Sequence, residues 1–182
     1  MHDMTAENLR SAFGGESMAH MRYKIWGEKA ESDGYPNVAR LFRAISRAEQ
    51  SHATNHFKAL RDEGGDYVCN SAAGFGLTTT SENLQGAIDG ETFEIQEMYP
   101  AYLSVAEMQS EPSAIRSMNY ALAAEKIHAA MFSKAKQSVD EGSDIELGPV
   151  QICTVCGHTL EGDAPDRCPI CNAKKEQYVA FE

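Results

Sequence analysis

FRAISRAEQSHATNHFKAL, residues 42–60, decides the fold. Phe42, Ile45, Ala53 and Leu60 share one stripe, so a helix here has a face that must be buried. Glu49 and His52 stand on that same stripe, where an acid and an imidazole are out of place. The pattern returns in SMNYALAAEKIHAAMF, residues 117–132, where Met118, Leu122, Ala129 and Phe132 surround Glu125 and His128. Two further helices carry acids alone. Leu9, Ala12, Phe13, Ala19 and Tyr23 flank Glu16, and Leu84, Ile88, Ile95, Met98, Tyr102 and Val105 flank Glu91 and Glu94.

Ionised groups buried without partners cost several kcal/mol each even after relaxation. Five inward carboxylates therefore require cations. A Glu from each of two helices, with Glu-x-x-His from each of two others, is the ligand set of di-iron carboxylate sites in ferritin-like bundles. A single Glu-x-x-His is weak, since exposed Glu is common; the repetition on four buried stripes carries the reading. His20 and His56 compete as ligands from neighbouring positions and rank lower, because satisfied histidines are commoner than extra ligands.

Punctuation divides the chain into helices. The first is expected from about Thr5 to Asp33, stopping at Gly34, and the second from Pro36 to near Gly64 and Gly65. A long connection, Asp66 to Thr80, leads to a third helix from Ser81 to Ser110, with a kink expected at Pro100. Pro112 starts a fourth helix running to about Asp140. Two short links and one long one suit a four-helix bundle with one crossover. The expected division is a bundle over 1–141, a linker over 142–150 and a small module over 151–182.

That module holds four of the five cysteines as Cys153-x-x-Cys156 and Cys168-x-x-Cys171, with eleven residues between the pairs. Such spacing makes a closed tetrahedral site for zinc or iron rather than a disulfide framework. Context favours iron, because a redox centre in the bundle must be re-reduced and zinc could not help. Cys69 stands alone in GGDYVCNSAAGFG, residues 64–76, and reads as a small apolar residue.

Composition narrows the partners. With 27 acidic against 16 basic residues, a formal charge of -11 and no basic run, nothing marks nucleic acid or anionic lipid as a partner. The start, MHDMTAENLRSAFGGES, is not a signal sequence, and no stretch is long enough to cross a membrane, so a cytoplasmic protein is expected.

AFGGESMAHMRY (12–23), AEQSHA (48–53), GETFEIQEMYP (90–100), AAEKIHA (123–129) and ICTVCGHTLEGDAPDRCPIC (152–171) together resemble the rubrerythrin family over nearly the whole chain. The resemblance implies a mainly α protein, a ferritin-like bundle followed by a small rubredoxin-like β module that binds metal. It places Glu16, Glu49, His52, Glu91, Glu94, Glu125 and His128 at di-iron ligand positions and the four cysteines around a third iron, with zinc an alternative occupant. It implies exchange of Glu94 for His52 as the iron changes oxidation state, and puts Tyr23 and Tyr99 beside the ligands. His158 and Asn172 depart from the usual aromatic and Gly of rubredoxin knuckles, which bears on tuning rather than binding.

The activity implied is reduction of hydrogen peroxide to water, with two irons bridged by Glu49 and Glu125. Electrons would come from an external donor, a rubredoxin or an NAD(P)H-dependent reductase, through the four-cysteine iron. A ferroxidase and a non-redox protein with a zinc knuckle are the alternatives. From Glu125 to Asp140 a helix spans about 22 Å at 1.5 Å per residue. The module would then begin far from its own di-iron centre, and a head-to-tail homodimer is expected.

Overall fold

The computed structural model describes residues 1–182. Five α-helices precede three short strands: α1 Asp3–Ser32, α2 Pro36–Ala59, α3 Thr80–Phe93, α4 Tyr99–Met108, α5 Pro112–Asp140, β1 Val150–Cys153, β2 Thr159–Glu161 and β3 Tyr178–Phe181. A π-helical turn, Glu94–Met98, joins α3 to α4, so the two act as one long rod and the bundle has four members. The long α1 pairs with α2, and α3 and α4 pair with α5.

Local chemistry explains the ends. Pro36 and Pro112 open their helices, where a missing N–H costs least. Thr79 and Glu82 form a reciprocal capping box at the start of α3. The kink expected at Pro100 takes another form. Pro100 has no N–H and its ring crowds the carbonyl four residues back, and the helix answers by widening ahead of it, Tyr99 N–H reaching Glu94 O.

Two apolar clusters fill the bundle. One gathers Tyr23, Trp26, Phe42, Leu84 and Phe132, and the other Leu9, Met98, Tyr99, Leu103 and Met118. The inward acids lie between them, one turn or more from either end. Irregular chain from residue 66 to 78 crosses outside, tied to α1 by Trp26 Nε1–H donating to Gly76 O at 2.9 Å and by Arg10 stacked 3.5 Å over the Tyr67 ring.

The strands form one antiparallel sheet in the order β2-β1-β3, with Ile152 opposite Thr159 and Val179. Val150 and Ile152 turn inward onto Ala44 and Ala48 of α2. The module therefore sits on its own bundle, which corrects the expectation from helix length. Gly142 and Ser143 turn the chain back at the end of α5, and the six residues 144–149 can cover about 20 Å at 3.3 Å each, enough to retrace the last three turns of that helix. Specific contacts lay this linker along α2. Asp144 accepts from the N–H groups of Asn37 and Val38, at 2.8 and 3.2 Å, and the Arg40 guanidinium donates to Leu147 O. No helix is long and apolar enough to cross a membrane.

Candidate metal centre

Glu16 of α1, Glu49 and His52 of α2, Glu91 of α3 and Glu125 and His128 of α5 converge at mid-bundle, and none is more than 2% exposed. Their ligand atoms fall into two overlapping groups, Glu16, Glu49, His52 and Glu125, and Glu49, Glu91, Glu125 and His128. Within each group the atoms lie within 4.8 Å of one another, a spacing that suits one ion apiece. Glu49 and Glu125 belong to both groups. The three-residue step explains the layout, since it puts a carboxylate and an imidazole of one helix side by side.

The imidazoles are held in one sense by the module. His52 Nε2 faces the carbonyl oxygen of Cys156 at 3.1 Å, and a carbonyl only accepts, so Nε2 carries the proton. His128 Nε2 lies 2.8 Å from Thr159 Oγ1, whose own proton goes to Gly157 O at 3.0 Å, so here too Nε2–H donates. Both Nδ1 atoms then point at carboxylates: His52 Nδ1 is 2.7 Å from Glu125 Oε1 and 2.8 Å from Glu49 Oε2, and His128 Nδ1 is 2.7 Å from Glu125 Oε2. A lone pair facing anionic oxygens is unfavourable unless a cation or proton lies between.

The carboxylates make the same demand. Glu16 Oε2, Glu49 Oε1, Glu91 Oε2 and Glu125 Oε1 are buried without a hydrogen bond. With only protons available, burial and the charge of Glu125 push the Glu49 carboxyl up to about 7, and burial and the same neighbour raise Glu91 well above the usual range. Burial and Glu125 work on Glu16 in the same direction, but His52 outweighs them and brings it down to about 2. Burial favours neutral His128, yet Glu49 and Glu125 hold it protonated up to about 9. Protons thus stand where cations would, and an oxygen-rich set with two imidazoles fits two hard or borderline divalent ions. Metal ions fit this site.

Tyr23 donates to Glu91 Oε1 at 2.7 Å, and Tyr99 donates to Glu16 Oε1. Glu94 is not brought into either group. It sits on the π-turn, partly exposed, with its carboxyl end enclosed near Glu16, Glu125 and Glu49, and burial together with those charges raises it well above the usual range. The competing histidines are satisfied elsewhere: His20 Nδ1 lies 2.7 Å from Ser46 O, and His56 bonds to Tyr99 and Ser117. Residues 156 to 159 touch both imidazoles, and Asn55 Nδ2 donates to Val155 O at 2.7 Å. None of these contacts has a signal in the sequence, because each joins residues far apart along the chain.

The four cysteine sulfurs form the second site. Cys153 Sγ is 3.6 Å from Cys171 Sγ and Cys156 Sγ is 3.5 Å from Cys168 Sγ, and no disulfide joins them. Four thiols within 4.8 Å of one another, three of them buried, suit one tetrahedral ion. The side chains of His158 and Tyr178 pack beside them, joined through Nδ1 and the phenol oxygen at 2.8 Å.

Fold and site together define a ferritin-like bundle with a buried carboxylate and histidine site for two metals, carrying a four-cysteine metal module. The rubrerythrin family profile matches residues 7–136, and that of the rubrerythrin, rubredoxin-like domain matches 151–179. The chain belongs to the rubrerythrin family. It is 53% identical over 178 residues to rubrerythrin-2 of Clostridium acetobutylicum, covering 98% of this chain and 97% of that one. A nigerythrin structure in the fully reduced, all-ferrous state superposes with a TM-score of 0.86 at 28% identity, over 100% of this chain and 88% of the other. A bacterioferritin of Mycobacterium tuberculosis, BfrA, shares the fold at 15% identity, with a TM-score of 0.68 over 79% of this chain and 90% of its own.

Proposed function

We propose that this protein is a non-haem di-iron peroxidase that reduces hydrogen peroxide to water in defence against oxidative stress, drawing electrons through the iron of its four-cysteine module. One observation carries the reading. Residues 156 to 159 of the module are hydrogen-bonded to both imidazoles of the bundle site, so an electron source and a reaction centre share a covalent and hydrogen-bonded path. A storage protein has no use for such a joint, nor does a zinc knuckle.

Glu16, Glu49, His52 and Glu125 would hold one iron and Glu49, Glu91, Glu125 and His128 the other, with Glu49 and Glu125 shared. Iron bound there supplies electrons and Lewis acidity to the peroxide O–O bond. The protein's own groups prepare the site. Cys156 O and Thr159 Oγ1 fix the imidazole tautomers, which is how neighbouring acceptors usually orient ligand histidines. Tyr23 and Tyr99 hold Glu91 and Glu16 in place and can lend a proton to them. Glu94, on the π-turn, would serve as an alternative ligand to His52 for oxidised iron, since a hard carboxylate suits the higher charge.

Cys153, Cys156, Cys168 and Cys171 would hold the iron that accepts electrons from an external donor, a rubredoxin or an NAD(P)H-dependent reductase. Free thiolates suit the reducing cytoplasm. The contact between the two sites is closed within one chain here, so a head-to-tail homodimer is not needed to bring them together.

Metal analysis and visible spectra of anaerobically purified protein test the reading. About three irons per chain, bleached and recovered by peroxide followed by a reductant, are expected. Zinc at the cysteines in fully active protein would overturn it, and uptake of ferrous ion beyond the fixed sites would turn the assignment to a ferroxidase.

A further inference from the structure

The two tyrosines that touch the carboxylates have unlike surroundings. Tyr23 ends in an aromatic box of Trp26, Phe42 and Phe132, with ring centroids 5.9, 5.9 and 5.1 Å away, and its hydroxyl makes no hydrogen bond beyond Glu91. Tyr99 continues outward. Its oxygen lies 2.9 Å from His56 Nε2, and His56 Nδ1 lies 2.8 Å from Ser117 Oγ. Ser117 in turn lines a polar cavity of 340 Å³, shared with Lys58, Arg61, Glu63, Arg116 and Tyr120.

The sense of every bond follows from its inner end. The Glu16 carboxylate only accepts, so the Tyr99 hydroxyl donates to it. The Tyr99 oxygen must then accept from His56 Nε2–H, and with the ring neutral Nδ1 accepts from Ser117 Oγ–H. Three bonds thus run one way, from the cavity to Glu16, through one residue on each of the four bundle members. Tyr99 and His56 are wholly buried and Ser117 is 5% exposed, so the hydroxyl of Ser117 is where the path meets the cavity.

We propose that Ser117, His56 and Tyr99 form a proton relay that delivers protons from this cavity to Glu16 Oε1 during peroxide reduction. The proposal rests on the peroxidase reading, in which one hydrogen peroxide takes two electrons and two protons to give two waters. In each passage the Ser117 proton moves to His56 Nδ1, the Nε2 proton moves to the Tyr99 oxygen, and the Tyr99 proton moves to Glu16, which yields a proton in turn to a peroxide oxygen as water forms. Ser117 regains a proton from the cavity, so no relay group keeps a net charge. Rotation of the two hydroxyls and a flip of the imidazole restore the starting order. Ser117 and His56 act through Tyr99 and are positioning residues.

Ser117→Ala and Ser117→Thr test it in the fully reduced, iron-loaded chain. Ser117→Ala should slow oxidation by peroxide about 100-fold, the scale of a lost positioned proton donor, and raise the solvent deuterium isotope effect. Oxidation by ferricyanide, which takes an electron without a proton, should keep its wild-type rate. Ser117→Thr should restore the peroxide reaction. An unchanged peroxide rate and isotope effect, or equal slowing with ferricyanide, would overturn the relay.

Nitrogen-15 NMR of the zinc-loaded full chain reads the tautomer without any turnover. His56 is expected as Nε2–H, its Nδ1 resonance moving in Ser117→Ala. An Nδ1–H tautomer in a chain that consumes peroxide overturns the relay alone. A wild-type chain inert to peroxide defeats the peroxidase reading and removes the demand for protons with it.

Discussion

Replacing Gly157 by alanine should break the joint between the two metal sites. Gly157 has φ of +81°, and a Cβ there would lie 2.0 Å from His52 Nε2, 2.7 Å from Cδ2 and 3.0 Å from Cε1. The obstructing atoms belong to a ring wedged among carboxylates, so the module has to move away. Left-handed backbone costs alanine about 1 kcal/mol. The bonds of His52 to Cys156 O and of His128 to Thr159 Oγ1 are lost as well, at about 1 kcal/mol each. The total, about 3 kcal/mol, is roughly 100-fold in the ratio of docked to undocked module. The His52 bond itself cannot form in any docked fraction. Stopped-flow absorbance would follow re-reduction of the peroxide-oxidised bundle site by the four-cysteine iron, expected at least about tenfold slower. Gly162→Ala is the control for backbone cost, because Gly162 has φ of +95° and a Cβ there meets nothing within 4 Å. Wild-type re-reduction in Gly157→Ala, with the cysteine-iron spectrum intact, would refute the assignment. So would Gly162→Ala proving equally slow.

Glu125→Ala removes a carboxylate common to both ligand groups, and should empty the bundle site while leaving one iron in the cysteines; full peroxidase activity in this variant would overturn the ligand set. Chelated protein should lose stability as pH rises from about 5 to 9. Folding lifts Glu49 from 4.5 to about 7 and His128 from 6.5 to about 9, so the native state binds more protons across that window. Stability from each is complete below the unfolded value and gone above the folded one. Thermal melts that stay level or climb with pH would contradict this. Asp144→Ala strips two N–H partners from the start of α2, at a cost of about 1 kcal/mol and a melting temperature about 2–4 °C lower. The same change should speed proteolysis of the linker.

The helices and the convergent acids were readable along the chain because helical periodicity puts Glu49 and His52, or Glu125 and His128, on the stripe that Phe42, Ile45, Met118 and Phe132 oblige to be buried. The cysteine pairs were equally plain, since their ligands lie within one short segment. Glu94 shows where periodicity falls short. The π-turn that answers Pro100 adds an offset no regular repeat contains, and leaves Glu94 partly buried, its carboxyl beside the two ligand groups and outside both. His56 is similar. It follows His52 by one turn, which made it a candidate ligand, but that turn lifts it a layer above the metals to meet Tyr99 and Ser117 from other helices.

By itself the sequence determined the bundle, its inward acids and the thiolate knuckles, all properties of spacing within single elements. Only the tertiary structure decided that the linker doubles back along α2 and seats Cys156 and Thr159 on the two imidazoles. The physical reason is that those contacts join residues more than thirty, and in part more than a hundred, positions apart, through backbone carbonyls and single hydroxyls. Carbonyls stand on every residue and hydroxyls on many, so they become distinctive only when the fold aims them at a partner.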